Sequence, residues 1–166
     1  MNSFHKAPWG MTLIIATVLC TLLLVGFAIN GILMGGALGW ILSVTLLGFL
    51  FSCALFLIQG YTITPTAILV HRAFWKRPIS LAGLKSAKSE PAAMGRSWRT
   101  FGNGGIFSIT GYYRNKTLGD FRAFATDTKR TVVLRFETKT IVLSPADPDD
   151  FSREVELKAK LEHQPQ

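Results

Sequence analysis

Three groups of residues in this chain could do chemistry. Asp147, Asp149 and Asp150 lie close enough to pose as a carboxylate cluster for a cation or for acid and base work, yet they lack histidine partners and the spacing of a calcium loop. They read better as a helix start, with Asp147 accepting the free N–H groups of the first turn, Pro148 at the first helical position, and Asp149 and Asp150 complementing the dipole. Phe101-Gly102-Asn103-Gly104-Gly105 could turn backbone N–H groups toward an anion. It lacks the Lys-Ser/Thr of a phosphate loop and the helix that should follow, so a sharp turn with Asn and Gly at positive φ is expected there. The third group is basic and aromatic: Arg72, Phe74, Trp75, Lys76 and Arg77. Such residues suit contact with anionic lipid headgroups, at about 1 kcal/mol per charge near the surface.

No other constellation suggests a catalyst. Ser108, Ser144 and Ser152 have no nucleophile elbow around them, and His5, His71 and His163 are scattered. The two cysteines, Cys20 and Cys53, both fall in the apolar half of the chain. A disulfide framework or thiolate zinc site in the polar half is therefore excluded. Neither a metal, a cofactor nor an enzymatic activity is expected.

The elements that must position these residues follow from charge. Of 18 Lys and Arg and 10 Asp and Glu, none lies between Lys6 and Arg72; the net charge of +8 belongs almost wholly to the part from Arg72 onward. A bilayer crossing takes about 20 apolar residues, so this stretch holds two. Met11–Ile29 makes one expected span and Trp40–Ile58 the other, with Asn30–Gly39 as the turn. Trp9, Trp40 and Tyr61 flank them as expected interface anchors. Gly31, Gly35 and Gly39 recur at a spacing that lets helices approach closely, within one copy or between copies, although they fall in the expected turn. A cleaved leader ending near Gly26-Phe27-Ala28 is the rival reading; the apolar run exceeds the usual length of about 7–15 residues and a second run follows. Basic residues crowd after the second run, with Arg72, Lys76, Arg77, Lys85 and Lys88, and the loop has none. Both termini are thus expected in the cytoplasm, with the chain integral to the membrane.

From Tyr61 the pattern becomes short apolar runs broken by Gly, Pro, Asn and Thr. Strands are expected at Tyr61–Ile63, Ala67–Arg72, Pro78–Leu81, Ile106–Tyr113, Phe121–Thr126, Thr131–Glu137 and Thr140–Leu143, with a hairpin at Thr138-Lys139. A final amphipathic helix would bury Phe151, Val155, Leu157 and Leu161, and His163–Gln166 would fray. The expected fold class is membrane-anchored α+β: a two-helix transmembrane hairpin, residues 1–60, then a soluble domain, residues 61–162, built as an antiparallel β-barrel of about seven strands capped by a helix.

That order resembles the bacterial pleckstrin-homology (PH) families of small membrane proteins. Arg99-Thr100-Phe101-Gly102-Asn103-Gly104-Gly105, then Gly111-Tyr112, Leu118-Gly119 and Phe124-Ala125-Thr126, is similar to the family's central signature. Ile141-Val142-Leu143-Ser144-Pro145 running into Asp147-Pro148 and Phe151 resembles its last strand and capping helix. The resemblance implies a binding or scaffold role for a protein partner or lipid headgroups, and no catalytic residues. The Thr64-Pro65-Thr66 turn carries no Lys or Arg, which argues against the inositol-phosphate mode of eukaryotic PH domains. Nucleic acid is not expected, since topology accounts for the basic charge. An alternative role is an accessory subunit of a transport or envelope-assembly complex that makes its contacts through the spans.

Overall fold

The computed structural model describes residues 2–162. The first element is a strand that the sequence did not suggest: β1, Ser3–Lys6, ahead of the apolar helices α1, Met11–Met34, and α2, Gly36–Leu55. Strands β2, Ile58–Ile63, β3, Ala67–Arg72, and β4, Lys76–Ser80, complete a four-stranded sheet in the order β1-β2-β3-β4. The remaining strands are β5, Leu84–Ser89, β6, Trp98–Ile106, β7, Ser108–Asn115, β8, Gly119–Ala125, β9, Val132–Phe136, and β10, Thr140–Leu143. They form a second sheet in the order β5-β9-β10-β8-β7-β6, parallel at β10–β8 and antiparallel elsewhere. Helix α3, Pro148–Glu162, follows.

The expected closed barrel of about seven strands is therefore corrected to ten strands in two separate sheets among the described residues. The three unexpected strands carry weak periodicity for physical reasons. Strand β1 has four residues, β5 points Lys85 and Lys88 to water, and β6 is glycine-rich and mostly exposed. Between the sheets and α3 lies the main core, including Ile58, Tyr61, Ile68, Phe124, Leu134 and Phe151. The other face of the larger sheet buries Tyr113, Phe121, Val133 and Val142 under Met94. Burial on both faces explains why Val132, Val133 and Leu134 are all apolar instead of alternating.

The helices depart from the expected spans. The segment 30–39 is helical apart from a break at Gly35, α2 ends at Leu55, and Ile58 already opens β2. Gly35 and Gly36 have φ of +69° and +74°, and that reversal lets the chain turn within a residue. The helices then cross tightly: a Cβ on Gly39 would sit 2.1 Å from the Gly31 carbonyl oxygen, and Ser43 Oγ donates to the Ala28 carbonyl at 2.7 Å. Gly31 and Gly39 thus serve contact between α1 and α2. With 24 and 20 residues and mostly exposed apolar side chains, both helices are long and apolar enough to cross a membrane, unlike the buried helix of a soluble core.

Tyr61 is corrected from an interface anchor to a core residue. It is fully buried, its hydroxyl donates to the Phe124 carbonyl at 2.6 Å and accepts from the Ser144 N–H at 3.2 Å, and burial pushes its pKa up to about 12. Trp40 remains exposed on α2, and Trp9 meets Phe107 edge-on. Helix α3 starts as its acids suggested, with Asp147 Oδ1 accepting the Asp150 N–H at 3.0 Å. Phe151, Val155 and Ala159 form its buried stripe at i, i+4 and i+8, whereas Leu157 faces out. The Leu161 side chain and His163–Gln166 lie outside the described residues.

Strand β1 pairs antiparallel with β2, Ser3 opposite Ile63 and Lys6 opposite Gly60. Glu154 of α3 fastens it by accepting from Ser3 Oγ and meeting His5 Nε2 at 2.9 Å, beside Lys158 Nζ at 2.6 Å. Cleavage near Ala28 would strip this strand from the sheet. Burial raises the Glu154 carboxyl, but the hydrogen bonds from Lys158, Ser3 and His5 outweigh it and hold the pKa down to about 2.

Two outcomes follow. Gly39→Ala should destabilise the helix pair by about 1–3 kcal/mol, read by thermal unfolding in detergent; Gly48→Ala, where a Cβ meets nothing within 4 Å, should be silent. Glu154→Gln should cost about 1–2 kcal/mol at neutral pH. A depressed carboxyl contributes fully above its ordinary value of 4.5 and fades as pH falls toward about 2, so wild type and variant should converge on acidification.

Candidate functional site at the helix–sheet junction

The chain enters and leaves the helix pair under restraint. Before α1, Thr126 Oγ1 donates to the Pro8 carbonyl at 2.8 Å, and the Gly10 N–H donates to the Thr126 carbonyl at 2.9 Å. After α2, Arg72 Nη1 donates to the Phe56 carbonyl at 2.9 Å. A third tie lies farther along α1. Thr17 Oγ1 accepts the Phe107 N–H at 3.0 Å and donates to the Gly105 carbonyl at 3.4 Å. Phe107, the single residue between β6 and β7, has φ of +62°, a costly conformation for a bulky side chain. The Thr17 bond and the Trp9 ring hold it there.

The residues Arg99, Phe101, Gly102, Asn103, Gly104 and Gly105, expected as a turn, belong to strand β6. The register slips at Gly104/Ile106, a bulge that Asn103 organises. Its Oδ1 accepts the Gly105 and Ile106 N–H groups at 3.3 and 3.2 Å, and its Nδ2 donates to the Ile106 carbonyl at 2.6 Å. Those N–H groups are therefore occupied and cradle no anion. Gly102 faces Gly111 across the ladder, where a Cβ on Gly102 would lie 2.4 Å from the Thr110 oxygen.

The basic group divides in the fold. Arg72 is buried at 5% exposure and joins the core edge; it is corrected from a direct headgroup contact to the residue that ties β3 to the end of α2. Phe74, Trp75, Lys76 and Arg77 are exposed. Trp75 meets Phe56 edge-on at 5.5 Å, which sets this exposed edge beside the end of α2.

Three guanidinium groups converge on the buried Phe124 ring: Arg72 at 5.7 Å, Arg77 at 5.6 Å and Arg122 at 4.9 Å. Cation–π contacts of this kind contribute roughly 0.5–2 kcal/mol each. No carboxylate pairs with them among the described residues; Asp120, in the neighbouring cavity of about 520 Å³, is gripped by Arg114 at 2.5 and 2.6 Å. Burial and the charges of Arg77 and Arg122 lower the Arg72 pKa to about 10. The Arg122 Nε is buried and has no hydrogen-bond partner among the described residues. Arg122 also helps line a larger groove of about 770 Å³, between the β6–β7 strands and the outer turns of α1 and α2. Sequence reasoning missed Arg122 and Thr17, and had Tyr112 only as part of the family signature. The available signal was Arg122 itself, a cation set among Phe121, Ala123 and Phe124.

Two apposed sheets with a C-terminal helix packed over the core fit a PH-like fold, here carried on two apolar helices. The model of the bacterial PH domain family matches residues 59–159, more than half of the chain, and the protein belongs to that family. No curated protein and no solved structure matches it. PH domains are generally binding modules without catalytic activity.

Thr17→Val should free the β6–β7 tip from α1. Amide exchange at Gly105 and Phe107 is expected to rise severalfold, with a loss of about 1 kcal/mol in stability; unchanged exchange would show that the tie carries no weight.

Proposed function

We propose that this protein is a non-enzymatic, membrane-anchored PH-like binding module of the bacterial cytoplasmic membrane. In this reading α1 and α2 cross the bilayer, the domain lies in the cytoplasm, and the edge formed by Phe74, Trp75, Lys76 and Arg77 rests on anionic headgroups. The observation that carries it is the rigid docking of that edge beside the end of α2. Arg72 and Trp75 both engage Phe56, so the domain cannot swing its cations away from the bilayer surface without breaking these contacts. Phe74 is 78% exposed, and an aromatic side chain beside two cations suits headgroup depth. The excess of Lys and Arg after α2 supports the cytoplasmic side. A domain held this way can present its remaining surface to a protein partner at fixed height above the membrane.

The test uses the full chain in nanodiscs. Amides of residues 74–80 should be more protected from exchange in anionic than in zwitterionic lipid. Lys76→Ala with Arg77→Ala should remove that difference while β7–β10 stay protected. Equal protection in both lipids would reject the headgroup role.

A further inference from the structure

We propose that the groove between β6–β7 and the helix pair is a site for one anionic phospholipid, its acyl chain against α1 and α2 and its phosphate held by Arg122 and Arg99. This rests on the reading that α1 and α2 cross a bilayer, and it concerns different residues from the exposed edge of β4.

The groove has two chemistries in the right order. Its helical wall is mostly apolar, formed by Ala16, Cys20, Phe49, Cys53 and Phe56, with Ser52 as its one hydroxyl. Cys20 lies nine residues into α1 and Phe49 six residues before the end of α2, so the wall runs about 9–13 Å along the helices from the domain side. That reach passes from headgroup depth into hydrocarbon. The opposite wall is the bulged end of β6 and its partner β7, which Thr17 pins to α1. Arg99 and Arg122 line it as well, and no Asp or Glu does among the described residues.

Arg122 decides the class of occupant. Its Nε is buried without a hydrogen-bond acceptor, and its guanidinium touches only ring faces in the contacts described, 5.1 Å from Tyr112 and 4.9 Å from Phe124. No carboxylate pairs with this guanidinium among the described residues, and where it lines the groove a phosphate oxygen is the acceptor that a guanidinium fork fits best. Arg72 and Arg77 around the same ring add positive potential that an anion relieves. Arg99 lies over Gly104, where any Cβ would come within 2.3 Å of its Nη1; glycine is what lets this second cation lie flat on the strand. A volume of about 770 Å³ holds a headgroup and part of one chain, within the range of specific small-molecule sites. Lipid of the ordinary boundary layer would fill the apolar wall without regard to headgroup charge. A built site selects the charge.

The experiment places the full chain in phosphatidylcholine nanodiscs and measures the retention of spin-labelled phosphatidylglycerol against spin-labelled phosphatidylcholine. Preferential immobilisation of about one phosphatidylglycerol per chain is expected in the wild-type protein. Arg122→Gln should lower that preference about tenfold, the loss of one charge-assisted hydrogen-bonding partner. Cys53→Trp, which fills the apolar wall and leaves both arginines, should also abolish it. Equal immobilisation of the two lipids by the wild-type chain would overturn the site, as would displacement of phosphatidylglycerol by inorganic phosphate, which would make the groove a free-anion site. Recovery of the protein in the aqueous fraction without detergent would overturn the membrane reading itself. A firmly inserted chain without headgroup preference overturns the groove alone.

Discussion

The pairing of Ser3–Lys6 with Gly60–Ile63 constrains everything else in this molecule. Two strands on either side of the helix pair are hydrogen-bonded neighbours, so the start of α1 and the end of α2 must lie together at one end. A Cβ on Gly60 would collide with the Phe4 ring at 2.5 Å, so the sheet accepts β1 because position 60 has no side chain. The helices are then part of the domain's covalent frame and cannot act as a flexible leash. Glu154 reinforces the arrangement from α3, and Thr126 and Arg72 hold the two connections.

That frame concentrates positive charge where the domain meets the helices. Arg72, Arg77 and Arg122 crowd one phenyl ring although like charges repel, and Arg72 does so while buried. Ring quadrupoles and the Phe56 carbonyl offset part of the cost. The result is a group of three cations with no carboxylate partner among the described residues, located where the sheets meet two apolar helices.

Much of this was legible in the sequence. The uncharged stretch gave two helices, the β-branched runs gave β3, β9 and β10, the alternation of Phe121, Ala123 and Ala125 with Arg122 and Phe124 marked β8, and Asp147-Pro148 gave the start of α3. Local pattern failed where a residue's role depends on a distant neighbour. Tyr61 reads as an interface aromatic beside an apolar helix, but Phe124 and Ser144, more than sixty residues on, make it a core hydrogen-bonding centre. Gly102–Gly105 read as a turn because glycine permits positive φ; the same freedom instead allows β6 to pass close against β7. Ser-Phe-His-Lys at the front is too short to show a period, and only β2 makes it a strand.

Charge composition by itself determined which part of the chain can enter hydrocarbon and which cannot, because moving a charge out of water costs far more than any local preference can return. Hydrophobic period and capping residues likewise determined the helix at the end, since those effects act within a few residues. Tertiary structure decided the close crossing of Gly31 over Gly39, the burial of Arg72, the division into two sheets, and the convergence of Arg99 and Arg122 on one groove. Each of these depends on surfaces brought together from remote parts of the chain, and no local window contains both partners.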